Sequence, residues 1–239
     1  MTRKLVMFDF ADTIAKLSPS KEEILQDLIS KEIGALIPIA KITEVYHYAT
    51  NLIFYSSVMI KELEKKEAFY NEFNKNVISL LGLSHLIDHS KIFTYFKEHG
   101  QHWELKNEVK DLFSELKDDG YLISLVSNFD TRLYDVLDIM QISSYFDSIF
   151  ISQEVGLEKP NIDFFNLPLK KHSVEAGNSF FIGDSYFLDY LPSNKLGMNS
   201  ILLDEKNIYH SIASLVKIDD ISGCKNIMAL CEIEWVVEF

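Results

Sequence analysis

Cysteine is scarce in this sequence. Of its 239 residues only Cys224 and Cys231 are cysteines, and they form neither a disulfide framework nor the ligand spacing of a zinc site. The sequence is therefore not that of a small secreted domain held together by disulfides. We expect both thiols to be reduced and buried in a cytoplasmic protein.

Positive charge is also in short supply. The chain has 23 lysines and arginines against 36 aspartates and glutamates, which gives a formal net charge of -13. Such a protein has no basic stripe to neutralise the phosphates of a nucleic acid, so we expect no nucleic-acid partner. If it handles small phosphates, it must concentrate positive charge locally, with a metal ion and a lysine.

Apolar runs long enough for a bilayer are missing. The most apolar stretch after the first predicted strand, residues 51–60, is too short and has polar edges. The basic start Thr2-Arg3-Lys4 leads directly into a strand-like run and not into a signal peptide. We expect no membrane partner and a cytoplasmic location. Repeats and low-complexity segments are absent from the sequence, and nothing in it indicates the oligomeric state.

Five short runs rich in β-branched and aromatic residues predict the strands of a sheet. Because these runs are continuously apolar and not alternating, they indicate parallel strands buried on both faces. Helical patterns of crossover length separate the last four runs, which predicts a doubly wound α/β fold. The predicted strands are residues 4–10, 121–127, 148–152, 179–183 and 199–204.

A helical insert interrupts this alternation. A capping-box signature at Ser20-Lys21-Glu22-Glu23 predicts the start of its first helix, and Gly34 predicts the end. Further helical patterns cover residues 43–65, 69–82 and 85–99, and we find no convincing strand among them. We therefore predict a core domain of residues 1–17 and 106–239 and an all-helical domain of residues 18–105 that acts as a lid over the sheet edge.

Polar residues follow the predicted strands at their carboxyl ends, where open α/β sheets bind ligands. Asp9 ends the first strand, where a carboxylate could attack phosphorus or hold a metal. Ser127 and Asn128 end the second strand and could donate hydrogen bonds to a phosphoryl oxygen. Lys159 could neutralise that oxygen and the attacking carboxylate.

The fourth predicted strand is followed by two further carboxylates, Asp184 and Asp189, whose oxygens suit Mg²⁺. An attacking carboxylate and a phosphate repel each other as anions, so a cation and a lysine between them are physically required. Each residue alone has an ordinary structural explanation as a turn or loop residue. All of them, in order and each at a strand end, are hard to explain as coincidence.

This order of motifs resembles the haloacid dehalogenase (HAD) superfamily, subfamily I with a helical C1-type cap, over nearly the whole chain. The four family motifs are matched by "DFADT" (9–13), Ser127, Lys159 and "GDSYFLD" (183–189). The resemblance implies a Rossmann-like core with a cap inserted after the first motif.

The resemblance also implies a ligand set and a chemistry. Mg²⁺ would be held by Asp9, the main-chain carbonyl of Ala11 and Asp184, with Asp189 in support. A small phosphorylated substrate would transfer its phosphoryl group to Asp9, which makes Asp9 and Lys159 the implied catalytic residues.

The chain departs from the family at position 11. In typical phosphatases of the family an aspartate there protonates the leaving alcohol and later activates water, which is worth ~10²–10⁴-fold in rate. Ala11 cannot do this, and an acid follows one position later as Asp12. We interpret Asp12 either as a weak surrogate acid/base or as a turn residue, and we favour the turn because its side chain would point differently from that of position 11.

Two kinds of relatives also lack this acid. Phosphonoacetaldehyde hydrolase has Asp-x-Ala-Gly-Thr and uses a cap lysine that forms a Schiff base, for which Lys21, Lys31, Lys41 and Lys61 are candidates here. A helical insert carries solvated lysines anyway, so these candidates are weak. The 2-haloacid dehalogenases have Asp-x-Tyr-Gly-Thr and attack carbon without a metal, which the retained metal ligands argue against.

The sequence also resembles a branch of HAD-like hydrolase-domain proteins whose first two motifs read Asp-x-Lys-Asp-Thr and Ser-Asn-Phe-Asp. This chain has "DFADT" and, at residues 127–130, "SNFD". We therefore expect a Mg²⁺-dependent hydrolase of a small phosphorylated metabolite, with impaired turnover of ordinary phosphomonoesters. The alternative is a weakly active or inactive phosphate-binding or protein-interaction protein. The helical insert carries no motif that names the substrate.

Overall fold

A six-stranded parallel sheet organises the larger part of the chain in a computed structural model that describes residues 4–55, 66–100, 102–209 and 215–234. Its central strand directly precedes the first motif and is buried along its whole length. In spatial order the strands are β5 (Ser148–Ile151), β4 (Leu122–Ser127), β1 (Leu5–Phe8), β6 (Ser179–Gly183), β7 (Asn199–Leu203) and β8 (Lys217–Ile218).

All five predicted strands are confirmed, with small differences at their ends. The first strand ends at Phe8, two residues before the predicted end, and the third ends at Ile151. The sixth strand, β8, was not predicted because two residues are too few to show a pattern.

Helices cover both faces of the sheet. Neighbouring residues of β1 point to opposite faces. Phe8 packs edge-on against Phe113 of α5 (Val109–Asp118), with ring centroids 5.1 Å apart. Met7 belongs to the cluster on the other face with Phe164 and Phe165 of α8 (Ile162–His172). The predicted doubly wound α/β fold is therefore confirmed.

The remaining helices of this part of the chain lie between the strands, apart from α10, which follows the last strand. A single π-helical turn, Tyr186–Tyr190, follows β6. The others are α6 (Leu133–Ile139), α7 (Ser152–Val155), α9 (Leu191–Lys195) and α10 (Cys224–Glu234). Cys224 is buried, as predicted, and burial raises the pKa of its thiol to about 12, whereas the side chain of Cys231 lies outside the described residues.

The chain forms two compact units, Met1–Lys16 with Glu104–Phe239, and Leu17–Trp103. Two short strands, β2 (Ala15–Leu17) and β3 (Trp103–Leu105), pair with each other where the chain passes between the units. The prediction of no strand up to residue 105 was wrong at this point, because three residues at the edge of a helical region give no periodicity. The role of the smaller unit as a cap stays a prediction.

Four helices make up the part of the smaller unit that the structure describes. Its core contains Leu25, Ile29 and Ile42, all fully buried, with apolar residues from every helix. The capping box at Ser20 is confirmed, since the hydroxyl of Ser20 accepts from the Glu23 N–H at 3.2 Å. The helices are α1 (Lys21–Ile33), α2 (Ile39–Tyr55), α3 (Lys66–Leu80) and α4 (Ser90–His99).

Two predicted helix starts in this unit were wrong. The second helix begins at Ile39, directly after Pro38, and residues 56–65 of the predicted span lie outside the described residues. The last helix begins at Ser90 and not at residue 85, because the carboxylate of Asp88 accepts from the Ser90 N–H at 3.0 Å and starts the helix there. Among the described residues, no helix is long and apolar enough to cross a membrane.

Candidate active site

Asp9 lies at the carboxyl end of the central strand. Its N–H donates to the Ile182 carbonyl of β6 at 3.0 Å, and its side chain is buried. The flanking strands run parallel to β1 and nearly in register, with Phe8 opposite both Leu125 and Ile182. Side chains that follow these strands therefore meet around Asp9.

Lys159 contacts two carboxylates at this edge of the sheet. Its ammonium lies 2.6 Å from Asp9 Oδ1 and 2.6 Å from Asp189 Oδ1, and its side chain is only 2% exposed. Burial on its own would lower the pKa of Lys159. The charges of Asp189 and Asp9 outweigh that effect and raise the pKa above the ordinary value of a lysine. The two carboxylates therefore favour the charged form of Lys159.

Asn128 holds the backbone of Lys159 from the end of β4. Its Oδ1 accepts from the Lys159 N–H at 2.8 Å, and its Nδ2 donates to the Lys159 carbonyl at 2.9 Å. This is a positioning role that sequence reasoning missed, because no pattern indicates which backbone group a side-chain amide will meet. Ser127 is buried at the last position of β4. The phosphate-binding roles of Ser127 and Asn128 stay predictions.

A third carboxylate, that of Asp184, completes a cluster with Asp9 and Asp189. One ligand oxygen from each of Asp9, Asp184 and Asp189 lies within 4.8 Å of the others. Asp189 is fixed by the Ser185 N–H, which donates to its Oδ2 at 3.0 Å. A Cβ atom on Gly183 would come within 2.4 Å of Asp189 Cγ, so only glycine leaves room for this carboxylate. The sequence motif contained Gly183, but its physical reason is visible only in the structure.

The cluster carries an excess of negative charge. Three carboxylates and the one ammonium of Lys159 leave two negative charges when all are ionised. Burial raises the pKa of Asp189 to about 6, helped by the charge of Asp9 and opposed by Lys159. Carboxylate oxygens are the donors that Mg²⁺ prefers, and a divalent cation would balance the two excess charges. The residues present therefore fit a magnesium ion.

The loop after Asp9 turns sharply at Asp12. The φ angle of Asp12 is 57°, a left-handed conformation that glycine, asparagine and aspartate adopt most readily. The carbonyl of Asp12 accepts a hydrogen bond from the ammonium of Lys106. This backbone conformation accounts for an aspartate where related motifs have glycine and favours the interpretation of Asp12 as a turn residue. Its catalytic role stays a prediction.

A family model of haloacid dehalogenase-like hydrolases matches residues 6–203. The chain belongs to this family. The mouse haloacid dehalogenase-like hydrolase domain-containing protein 3 is 33% identical over 101 residues, which cover 42% of this chain and 40% of that protein. The matched segment thus spans about two fifths of the length of this relative.

Two proteins resemble this HAD-family hydrolase over almost its whole length. The glyceraldehyde 3-phosphate phosphatase of Methanothermobacter thermautotrophicus is 25% identical over 238 residues, covering 94% of this chain and 99% of that protein. The crystal structure of the HAD-hydrolase YfnB from Bacillus subtilis, bound to magnesium, superposes with a TM-score of 0.66 at 18% identity and covers 96% of this chain and 100% of that one. At 18% identity, the similarity to YfnB shows a shared fold alone.

Two of the candidate lysines of the helical unit have carboxylate partners. Lys31 lies 2.8 Å from Asp27, and Lys41 lies 2.9 Å from Glu44. The hydrogen bonds that the Lys31 ammonium donates to Asp27 and to the Tyr95 hydroxyl raise the pKa of Lys31 above its usual value. Lys61 lies outside the described residues.

Proposed function

We propose that this HAD-family hydrolase is a Mg²⁺-dependent phosphatase of a small phosphorylated metabolite, with Asp9 as its nucleophile. The observation that carries the proposal is the ammonium of Lys159 between Asp9 and Asp189, with Asp184 beside them. A buried group of carboxylates around a fixed cation suits a phosphoryl group, which needs positive charge on one side and an attacking oxygen on the other. The phosphatase name of a full-length relative agrees with this assignment.

The metal would be held by oxygen atoms only. Asp9, Asp184 and the carbonyl of Ala11 are the proposed ligands, and Asp189 supports them. When bound, Mg²⁺ supplies positive charge that neutralises the phosphoryl oxygens and makes the phosphorus more open to attack.

Asp9 and Lys159 carry the first half of the proposed reaction. A carboxylate oxygen of Asp9 forms a bond to phosphorus while the bond from phosphorus to the substrate alcohol breaks, which leaves an aspartyl-phosphate. Lys159 stays protonated throughout, because its pKa is raised, and it neutralises charge on Asp9 and on the transferred group. The hydroxyl of Ser127 and the second amide hydrogen of Asn128 are the proposed donors to a phosphoryl oxygen. Water then attacks phosphorus, and phosphate leaves with Asp9 restored.

Position 11 limits this chemistry. The departing alkoxide needs a proton and the attacking water must lose one, and Ala11 can do neither. Loss of such an acid/base costs ~10²–10⁴-fold in rate. A second candidate function follows from this observation: a slow or silent HAD protein that binds a phosphate ligand or a protein partner.

The structure gives less support to a phosphonatase-like reaction. A Schiff-base lysine must lose its proton near neutral pH, which requires a lowered pKa. The pKa of Lys31 is instead raised. Lys41 forms an exposed ion pair with Glu44. We therefore place carbon–phosphorus cleavage behind the two other functions.

The experiment that tests the proposal is phosphate release from a panel of phosphomonoesters, with and without Mg²⁺. The panel includes glyceraldehyde 3-phosphate, because a relative is named for it. Asp9→Asn is compared with wild type and with Asp147→Asn, which changes a carboxylate beside the first residues of β4 and β5.

Three outcomes separate the candidates. Turnover that needs Mg²⁺, disappears in Asp9→Asn and persists in Asp147→Asn supports the phosphatase. Background rates in all three proteins, together with phosphate binding by wild type in calorimetry, support the silent binding protein. Turnover that is clearly above background and equal in wild type and Asp9→Asn contradicts both, because it removes Asp9 from the reaction.

A further inference from the structure

Lys106 reaches the loop of the first motif from the strand that returns to the sheet unit. It follows β3 directly, and its side chain is only 9% exposed. Its ammonium donates to the Asp12 carbonyl and lies 2.9 Å from Glu205 Oε2. Its N–H donates to the Ile14 carbonyl at 3.0 Å. Both the backbone and the side chain of Lys106 therefore hold the segment that follows Asp9.

The segment that follows Asp9 forms a tight turn. The Phe10 carbonyl accepts from the N–H groups of Thr13, Ile14 and Ala15, at 3.3, 3.0 and 3.1 Å. Three donors thus close the turn on one oxygen. The charge-assisted hydrogen bond that Lys106 donates to the carbonyl of Asp12 stabilises this turn from outside the turn itself.

Glu205 gives Lys106 a fixed partner. It follows Asp204, whose buried carboxylate accepts from the Ile208 N–H at 2.7 Å and the Tyr209 N–H at 3.0 Å. These two hydrogen bonds define the loop after β7. Lys106 is therefore placed between two ordered loops, one after the central strand and one after β7.

We propose that Lys106 is a positioning residue that fixes the peptide units between Asp9 and Thr13, including the carbonyl of Ala11. This inference rests on the proposed function, in which that carbonyl is a ligand of Mg²⁺. Lys106 acts through the neighbouring peptide of Asp12, so its removal weakens metal binding without removing a ligand. No family motif identifies this residue, because it lies after the helical insert and far from Asp12 in sequence.

The test measures Mg²⁺ binding separately from turnover. Wild type and Lys106→Met are titrated with Mg²⁺ while the melting temperature is followed, and phosphate release is measured over the same concentrations. We expect Lys106→Met to raise the half-saturating Mg²⁺ concentration about tenfold in both assays, which corresponds to the loss of one charge-assisted hydrogen bond. The KM for substrate at saturating Mg²⁺ should change less than kcat.

Three further variants separate positioning from general stability. Lys106→Gln keeps an N–H donor for the carbonyl of Asp12, so it should raise the half-saturating Mg²⁺ concentration less than Lys106→Met does. If Lys106→Met does not fold, Lys106→Gln takes its place in the test. Glu205→Gln should raise the half-saturating concentration by less than about threefold, as for a partly exposed ion pair. Lys117→Met removes the ion pair with Asp147 in the same unit and should leave the half-saturating concentration unchanged.

The same measurements distinguish a failure of the proposed function from a failure of the positioning role of Lys106. If wild type shows neither a Mg²⁺-dependent melting temperature nor turnover, the proposed function fails. If wild type shows both, and Lys106→Met and Lys106→Gln give the wild-type half-saturating concentration, only the positioning role of Lys106 is overturned. An equal shift in Lys117→Met overturns it as well, since the effect is then one of stability.

Discussion

The side-chain amide of Asn128 and the backbone of Lys159 hydrogen-bond to each other in both directions, at 2.8 and 2.9 Å. The residue after β4 thereby fixes the lysine that contacts Asp9 and Asp189. The position of the buried cation depends on this pair of bonds as much as on the two carboxylates that the cation touches.

Replacement of Asn128 by alanine should therefore reduce activity through Lys159. We expect kcat to fall about tenfold or more, because two hydrogen bonds are lost and the ammonium is no longer held in place. The matched control is Asn199→Ala, since Nδ2 of Asn199 also donates to backbone carbonyls, those of Gly177 and Ser179, at the start of β7. Comparable kcat values for the two variants would show that Asn128 has no special role.

Gly183 should not tolerate a side chain. Gly183→Ala places a Cβ 2.4 Å from Asp189 Cγ, so Asp189 must move. We expect loss of the Mg²⁺-dependent melting temperature and of turnover. Gly197→Ala is the control, because Gly197 has open space around it and a φ of +80°. It should cost roughly 1–2 kcal/mol of stability through the backbone alone and leave Mg²⁺ binding intact.

Asp12 can be tested through its left-handed backbone. If it is a turn residue, Asp12→Asn and Asp12→Gly should keep the turnover and stability of wild type, whereas Asp12→Ala should lose roughly 1–2 kcal/mol in urea unfolding. A large fall in kcat for Asp12→Asn at unchanged stability would instead identify Asp12 as the surrogate acid/base.

Asp147 should make stability depend on acid pH. Its Oδ2 accepts from the Ile123 N–H at 2.7 Å and pairs with Lys117. Burial acts to raise the pKa of Asp147, but these two partners hold it below the ordinary value. A carboxyl with a lower pKa in the folded state stabilises the protein above its unfolded pKa, roughly 4, and loses that contribution as the pH falls through its folded pKa.

The comparison with Asp147→Asn isolates this effect from other carboxylates. Wild type should be more stable than the variant by about 1 kcal/mol at pH 7, and the difference should shrink below about pH 4. Urea unfolding of both proteins at several pH values measures it. A difference that stays constant down to pH 2 would mean that the ionisation of Asp147 does not contribute.

The sheet and the order of its site residues were predictable for a physical reason. Parallel strands buried on both faces are continuously apolar, so residues 179–183 stand out, and the first polar residue after such a run must lie at the ligand-binding edge. The start of α4 was not predictable from periodicity, because the local hydrogen bond of Asp88 decides it. The contacts of Asn128 and Lys106 depend on backbone groups far away in sequence, and no local pattern encodes those.

The buried ion pair between Asp9 and Lys159 joins the start of the chain to a loop far along it. Asp9 follows β1, Asn128 follows the neighbouring strand β4, and Asp184 follows β6 on the other side of β1. No continuous segment of the chain therefore contains all the residues of the site. Contacts between residues so distant along the chain form only when the strands that precede them have paired in the sheet. Metal binding by this cluster would therefore report the complete assembly of the sheet, and a truncated chain would retain individual carboxylates without a binding site.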